Sequence, residues 1–240
     1  MRGPSPHTRR FAHRSAYLAV KSWFTLATIG LGRNLVEFTM ALARIADIRR
    51  QELIHAAYQV IKRDGLHFAT TSKIEKQAGL SRGLIHHYFR DREDLLEMTL
   101  RFLLAQRRRD LVQRLTSAQT PSERLWAIIS ISVSPKYLEP GFCTAWNSFC
   151  AEAQKATNLA RLLTIIRRRE RSNLRHALRG LGCDGERDLM ALAIQVLLEG
   201  MRRRMRFMTQ PYDAETAHAE ALAFIKQSIP SFDPAAAGWT

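Results

Sequence analysis

The chain has 240 residues, 46% of them hydrophobic, which is enough apolar material for one large domain or two small ones and excludes disorder as the main state. Lys and Arg number 37 against 22 Asp and Glu, and the net charge of +15 favours a polyanionic partner over an enzyme built around an isolated acidic pocket. The three cysteines, Cys143, Cys150 and Cys183, provide neither a disulfide framework nor a paired-cysteine zinc site, so we expect a reducing compartment, the cytoplasm.

Residues 1–39 form a basic extension with six Lys or Arg and one acid. Its apolar stretch, 16–31, is interrupted by Lys21 and is too short for a transmembrane helix. Three interpretations stay open: translation begins at Met40, the segment is a flexible arm that contacts phosphates or an anionic membrane, or it is a signal or transit peptide. We favour the first, because Met40 leads directly into a regular helical pattern.

From Ile48 onward apolar residues recur at helical spacing, and no stretch shows the sustained alternation of a strand. The sequence therefore predicts an all-α protein. A first helix ends at Asp64-Gly65, and its apolar stripe consists of Leu53, Ala56, Ala57, Val60 and Ile61. Thr70 is predicted to cap a short second helix that carries Ile74 and Ala78.

After this second helix Gly79 provides a turn, and Ser81 is predicted to cap a third helix. The inward face of the third helix is formed by Leu84, Ile85, Tyr88 and Phe89. Asp91 then opens a fourth helix that extends through Leu115. Beyond Thr120-Pro121, further helices are predicted at about 121–134, 141–154, 157–181, 186–208 and 213–229, and the tail 230–240 is expected to fray.

Residues 70–89 thus read as a helix, a glycine-containing turn and a second helix, which is the pattern of a helix-turn-helix. Ala78 is small where the two helices cross, Gly79 takes the turn and Leu80 fills the corner. We expect Ser81 to leave the amino end of the recognition helix facing phosphates or base edges. In so basic a chain, the motif favours DNA binding over an ordinary helical corner.

The run 78–89, Ala-Gly-Leu-Ser-Arg-Gly-Leu-Ile-His-His-Tyr-Phe, followed by 91–95, Asp-Arg-Glu-Asp-Leu, resembles the DNA-binding domain of TetR-family transcriptional repressors. Within that family the chain resembles the BetI group, the choline-responsive repressors of glycine betaine synthesis genes. The similarity extends thinly through the second half of the chain at Trp146, Phe149, 172–174 and 198–200. Two departures are Glu75, where the family usually has Ala, and Arg92, which replaces a common Lys.

This resemblance implies a helix-turn-helix DNA-binding domain at 46–92 and a helical effector-binding and dimerisation domain at 93–229. Arg82 and His86 are the candidates for base contact, and Gly83 would let the recognition helix approach closely. The candidates for phosphate contact are Thr71, His87, Tyr88 and Arg92. A homodimer would place two recognition helices about one DNA turn apart on a double-stranded, pseudo-palindromic operator.

The resemblance also implies a small-molecule effector, choline or a related quaternary ammonium, which aromatic faces bind through cation–π attraction. The candidate ligands are Tyr137, Phe142, Trp146 and Phe149, with Glu199 or Glu152 as the charge, although helical spacing also suits the aromatic residues to ordinary packing. Cys150 and Arg202 stand where the resemblance predicts Trp. Arg202 would oppose a bound cation unless it turns outward or pairs with Glu199.

Three alternatives are weighed against this interpretation. An enzyme is disfavoured, because the eight histidines form no HExxH or His-x-His metal pair and no Gly-x-Ser-x-Gly elbow is present. No cofactor and no metal site are predicted. A TetR-type repressor of other catabolic or efflux genes would use a different ligand, and a basic peripheral membrane protein would attach through residues 11–38, although no stable membrane association is expected.

Overall fold

The computed structural model describes residues 37–182, 185–207, 212–233 and 235, and within these ranges all regular secondary structure is helical. The hypotheses about residues 1–36 and most of the tail therefore lie outside the described residues. The helices are α1 over 37–64, α2 Thr71–Gln77, α3 Ile85–Tyr88, α4 Arg92–Ser117, α5 Pro121–Ser132, α6 Pro135–Leu138, α7 Pro140–Glu152, α8 Thr157–Ala177, α9 Arg187–Phe207 and α10 Ala214–Ser228.

The chain divides into two compact units between Gln51 and Glu52. In the described part of the first unit, the beginning of α1 carries the exposed apolar side chains Phe38, Met40, Leu42, Ile45 and Ile48. The second unit contains the remainder of α1 and all the later helices. No helix among the described residues has the length and apolar character required to cross a bilayer.

Three helices of the second unit, α2, α4 and α5, begin at the side chains that the sequence singled out. Thr70 accepts a hydrogen bond from the backbone N–H of Lys73, and Asp91 accepts one from that of Asp94. Thr120 forms a capping box with Glu123, directly before the proline that starts α5. These bonds satisfy amide donors that have no partner inside the helix, so the helix starts are fixed locally.

Two helix ends differ from the prediction. α5 ends at Ser132, and a separate turn of helix, α6, begins at Pro135, because proline cannot continue the preceding hydrogen-bond ladder. α8 ends at Ala177 rather than 181, and the chain then passes through Gly180 at φ +80° and Gly182 at φ +72°. The left-handed backbone at both glycines cannot belong to a right-handed helix.

Two apolar clusters form the core of the second unit. One joins α1–α3 to the first part of α4 and to residues of α7 and α8, with Leu53, Ile85 and Phe149 almost fully buried. The other joins α5 to α8, α9 and α10, with Ile129 and Ile194 at its centre. Since α4 and α8 contribute to both sets, the helix-turn-helix is packed on the same helices that enclose the C-terminal core.

Candidate nucleic-acid interface and C-terminal core

The turn between α2 and α3 follows the predicted geometry up to Leu80. Gly79 has φ +67°, in the left-handed region that glycine adopts without a steric penalty. The Gly79 amide donates to the Lys76 carbonyl, and the Leu80 amide donates to the Glu75 carbonyl. Leu80 is half-buried against the core, so it fills the corner as the motif predicts.

The predicted start of the recognition helix at Ser81 is wrong. Gly83 has φ +87°, so the backbone is not helical there, and α3 begins only at Ile85, after Leu84. Gly83 thus lies in the turn that precedes the helix, and its role is to make this turn possible. The prediction that Gly83 lets a helix approach DNA closely therefore does not fit its position. The helix has a single turn, 85–88.

Glu75 performs the capping role that the sequence assigned to Ser81. Its side chain is 3% exposed, and its Oε1 accepts a hydrogen bond of 3.1 Å from the backbone N–H of Ile85, the first residue of α3. A buried carboxylate is costly unless it is hydrogen-bonded, and here it satisfies a donor that the short helix leaves open. The sequence showed Glu75 only as a departure from the family, and an acid four residues before Gly79, in place of the usual Ala, was the available signal.

Four residues of the predicted DNA-contact set form one exposed surface, which we call the recognition surface: Arg82, Gly83, His86 and His87. His86 and His87 are adjacent on α3, so their side chains point about 100° apart. Tyr88 is half-buried against the core, while Phe89 is 2% exposed and belongs to the interior. The recognition surface has no acidic member, which suits it to an anionic partner.

Thr71 and Arg92 lie apart from the recognition surface, along a cleft of about 510 Å³ that His67, Glu152 and Lys155 also line. Arg92 donates to the Leu66 carbonyl oxygen at 3.1 Å and approaches the Glu152 carboxylate at 3.5 Å. Arg92 therefore connects the start of α4 to the loop after α1 and to the end of α7. Its side chain remains 43% exposed, so one face of the guanidinium stays accessible.

The same region contains a surface acid held between two cations. Asp64 accepts hydrogen bonds from Arg63 at 2.7 Å and from Lys73 at 3.1 Å. The bond from Arg63, followed by the one from Lys73, lowers the pKa of Asp64 to about 2. Asp64 is thus ionised at neutral pH and joins the end of α1 to α2.

The aromatic residues predicted to bind a ligand lie together in the interior, with Tyr137, Phe142, Trp146 and Phe149 each at most 5% exposed. The rings of Tyr137 and Phe142 meet edge to face at 5.0 Å, and those of Phe142 and Trp146 are nearly parallel at 6.5 Å. The Tyr137 hydroxyl donates to Asp110 at 2.7 Å, so its polar end is already bound by α4. Burial, followed by this hydrogen bond, raises the pKa of Tyr137.

Arg202 does not turn outward. Its side chain is 4% exposed, and its guanidinium carbon lies 5.4 Å from the centroid of the Trp146 ring. Glu199 forms its ion pair with Arg167, at 3.3 Å. The protein thus places its own cation over the aromatic face that was predicted to receive the ligand. Glu152 is engaged by Arg92 instead.

Beside Arg202 lies a buried polar network. Arg107 of α4 pairs with Glu170 of α8 and donates to the Ser132 hydroxyl at 2.8 Å. Gln195 of α9 donates to the Arg167 carbonyl oxygen at 3.2 Å. This network and Arg202 line a common cavity of about 10 Å³, to which Ile128, Leu174 and Leu198 also contribute. It is large enough for about one water molecule.

The charged groups of this network and Arg202 shift one another's pKa values. Burial acts to raise the pKa of Glu170, but the cations Arg107 and Arg202 outweigh it and hold that pKa below its usual range. Burial lowers the pKa of Arg202, against the attraction of Glu170. The Arg202 Nε is buried and has no hydrogen-bond partner among the described residues. Arg107 and Glu170, by contrast, have no buried side-chain N or O atom without a hydrogen-bond partner in the described part of the chain.

The outer face of α9 is apolar and exposed. Leu189, Val196 and Phe207 are 64%, 61% and 68% exposed, and their spacing of seven and eleven residues places them on one side of the helix. Leu192, 40% exposed, lies close to the same line. Large exposed apolar patches mark interaction surfaces in soluble proteins. We call these four residues the α9 face.

Two family models match the chain. Residues 53–99 match the model described as bacterial regulatory proteins, tetR family, and residues 121–230 match that of the BetI-type transcriptional repressor, C-terminal. The chain is 37% identical over 172 residues to the HTH-type transcriptional regulator BetI of Rhizobium meliloti, covering 72% of this chain and 85% of that protein. It is 35% identical over 185 residues to the protein of the same name from Agrobacterium fabrum, covering 77% and 90%.

Solved structures share the fold. A transcriptional regulator from Saccharomonospora viridis, solved in complex with choline, has a TM-score of 0.70 at 20% identity and covers 75% of this chain and 96% of that one. A transcriptional regulator from Pseudomonas aeruginosa PAO1 has a TM-score of 0.65 at 23% identity and covers 76% and 90%. At these identities the likeness shows the all-α architecture, with its amino-terminal helix-turn-helix, rather than the ligand.

Proposed function

Because the chain belongs to the TetR family of bacterial regulatory proteins and carries a BetI-type C-terminal domain, we propose that it represses genes of glycine betaine synthesis in the cytoplasm by binding their operators. It is a DNA-binding transcriptional regulator and not an enzyme. One observation carries the assignment of the DNA-contacting residues. Arg82 is exposed in the turn before the recognition helix and His86 on that helix, whose first amide is fixed by the buried Glu75.

Within this proposal Arg82 and His86 of the recognition surface read the bases, and the phosphates around them are contacted by Thr71, His87, Tyr88 and Arg92. Arg82 suits a base contact, because a guanidinium can bind the two acceptors on the major-groove edge of guanine. Phosphate contacts fix the position of the protein and make its affinity dependent on salt. The cleft beside Arg92 supports a phosphate there, because part of the guanidinium is exposed and Lys155 lines the same cleft.

The test is operator binding by the full chain, measured by fluorescence anisotropy on the operator and on random duplex. Arg82→Ala should lower operator affinity by about 1–3 kcal/mol, roughly five- to a hundredfold, with a smaller effect on random DNA. Arg169→Ala is the matched control, because Arg169 is exposed on α8 and its loss changes the net charge equally. Equal losses for both variants on both DNAs would contradict base reading by Arg82.

We further propose that the protein acts as a homodimer through the α9 face. The support is the exposure of Leu189, Val196 and Phe207 on one side of a 21-residue helix. Burying apolar surface of this kind against a second copy is favourable by about 25 cal/mol per Å². A two-fold dimer presents two recognition surfaces and therefore requires an operator with matching half-sites.

The effector proposed for the C-terminal domain is a quaternary ammonium compound, with choline as the candidate. The support is the cluster of Phe142, Trp146 and Tyr137 in the interior, together with the choline bound to the structurally similar regulator of S. viridis. Binding by calorimetry and release of the operator by choline test this assignment. Absence of choline binding at millimolar concentration would reject choline and leave the repressor assignment in place, since that rests on the helix-turn-helix.

A further inference from the structure

The interior of the C-terminal domain contains more positive than negative charge. Arg107, Glu170 and Arg202 line the same small cavity, and the carboxylate among them is already paired with Arg107. Glu199, the next acid on α9, is paired with Arg167. Arg202 is therefore a buried cation without an anion of its own in this part of the chain.

Burying such a charge costs free energy, because it loses its hydration and the low-dielectric interior does not compensate for that loss. The aromatic face of Trp146, 5.4 Å away, offsets part of this cost through cation–π attraction. It leaves the buried Nε of the guanidinium without a hydrogen-bond partner among the described residues. A guanidinium bonds best to a carboxylate, with two parallel N–H donors facing two oxygens.

We propose that the C-terminal domain binds a quaternary ammonium compound that carries a carboxylate more tightly than it binds choline, with the carboxylate on the Arg202 guanidinium in the cavity between α4, α5, α8 and α9. The proposal rests on the proposed function in one respect, namely that a small molecule enters this domain. A quaternary ammonium carboxylate meets both requirements, because its cationic end can use the aromatic cluster while its anion uses Arg202. The cavity has room for about one water molecule, so Leu198 or Gln195 must move when the ligand enters.

Glycine betaine and choline provide the test, because they share a trimethylammonium group and differ in a carboxylate against a hydroxymethyl group. Calorimetry on the full chain should show glycine betaine binding about tenfold or more tightly than choline. Arg202→Gln should weaken glycine betaine binding by about thirtyfold or more and choline binding by less than about threefold. Arg203→Gln, which removes an exposed arginine from the same helix, should change neither.

Several outcomes would overturn the proposal: choline binding as tightly as glycine betaine, glycine betaine binding that survives Arg202→Gln, or no binding of glycine betaine at millimolar concentration. Failure of the proposed function looks different, because the protein would then not bind operator DNA or would not release it with any effector. Operator release by choline together with no release by glycine betaine from the wild-type protein would leave the repressor in place and remove the carboxylate site.

The melting temperature of the ligand-free protein gives a second measurement. If Arg202 is held in readiness for an anion, Arg202→Met removes an uncompensated buried charge and should raise the melting temperature by about 2–4 °C. If Arg202 instead serves only to stabilise the fold through Trp146 and Glu170, the same change should lower the melting temperature. A decrease would therefore contradict the proposal.

Discussion

Replacing Glu75 tests the cap of the recognition helix most directly. Glu75→Ala removes the acceptor of the Ile85 amide, and Ile85 is 1% exposed, so water has little access to replace it. Glu75→Gln is the matched control, because it removes the same charge and keeps an oxygen that can accept the 3.1 Å bond. The two variants separate the hydrogen bond from the charge.

The magnitude follows from this geometry. A hydrogen bond to a charged acceptor contributes about 1.5–3 kcal/mol, and a buried amide left without a partner costs about 1–3 kcal/mol. Removing the carboxylate also relieves its own burial, which offsets part of the loss. We therefore expect Glu75→Ala to reduce the free energy of unfolding by about 1–3 kcal/mol and Glu75→Gln by less than half of that.

Operator affinity should fall with stability. If about 1 kcal/mol of ordering of the recognition helix must be supplied on binding, the dissociation constant rises about fivefold. Charge alone predicts the opposite, since loss of an acid near the DNA strengthens binding to phosphate. The assays are urea unfolding and fluorescence anisotropy with operator DNA.

One result would refute the reasoning: Glu75→Ala as stable as wild type and binding the operator equally well or better. The Ile85 amide would then have no need of the Glu75 carboxylate. Equal losses in Glu75→Ala and Glu75→Gln would instead assign the effect to the charge rather than to the hydrogen bond.

Four further predictions follow from the structure. Arg92→Ala should weaken binding to operator and to random DNA equally and reduce the salt dependence of binding by about one phosphate contact. A change in the ratio of the two affinities would contradict a phosphate role for Arg92. Trp146→Ala should weaken choline binding, by calorimetry, more than about tenfold without altering ligand-free operator affinity. The pKa of the Cys143 thiol is raised to about 11 by burial, so mass spectrometry should detect no iodoacetamide labelling of Cys143 in the folded protein near neutral pH, with its reactivity increasing only as the pH approaches 11. Val196→Glu on the α9 face should convert dimer to monomer in sedimentation, whereas Arg203→Gln should not.

Local chemistry made much of the fold predictable. The helix starts at Thr71, Arg92 and Pro121 each follow a side chain that caps its own helix within three residues, and such short-range bonds can be read from the sequence. The start of α3 could not be read in this way. Its capping carboxylate comes from Glu75, ten residues earlier on another helix, and the left-handed backbone of Gly83 excludes the closer candidate Ser81.

The same distinction between local and long-range contacts applies to the residues of the candidate sites. The exposure of His86 and His87 follows from their positions after the buried Ile85 on α3, so the sequence was sufficient for these two, whereas Arg82 is exposed in the turn that precedes the helix. The position of Arg202 depends on contacts among α7, α8 and α9, which are distant in sequence. The sequence indicated that this cation would oppose a cationic ligand, but only the packing shows that it lies inward over Trp146.

α4 connects the C-terminal core to the helix-turn-helix through contacts at two well-separated positions. Arg92, at the first residue of this helix, holds the loop carbonyl of Leu66, and Arg107, fifteen residues later, holds Glu170. At 1.5 Å per residue these two contact positions on α4 are about 22 Å apart. The sequence between them contains neither Gly nor Pro, so we expect this part of the helix to move as a rigid body. A tilt of about 5° around Arg107 moves the other end by about 2 Å. A displacement of that size exceeds the tolerance of a hydrogen bond to a base edge, so the proposed effector would need to cause only a small tilt of α4, with no refolding, to weaken operator binding.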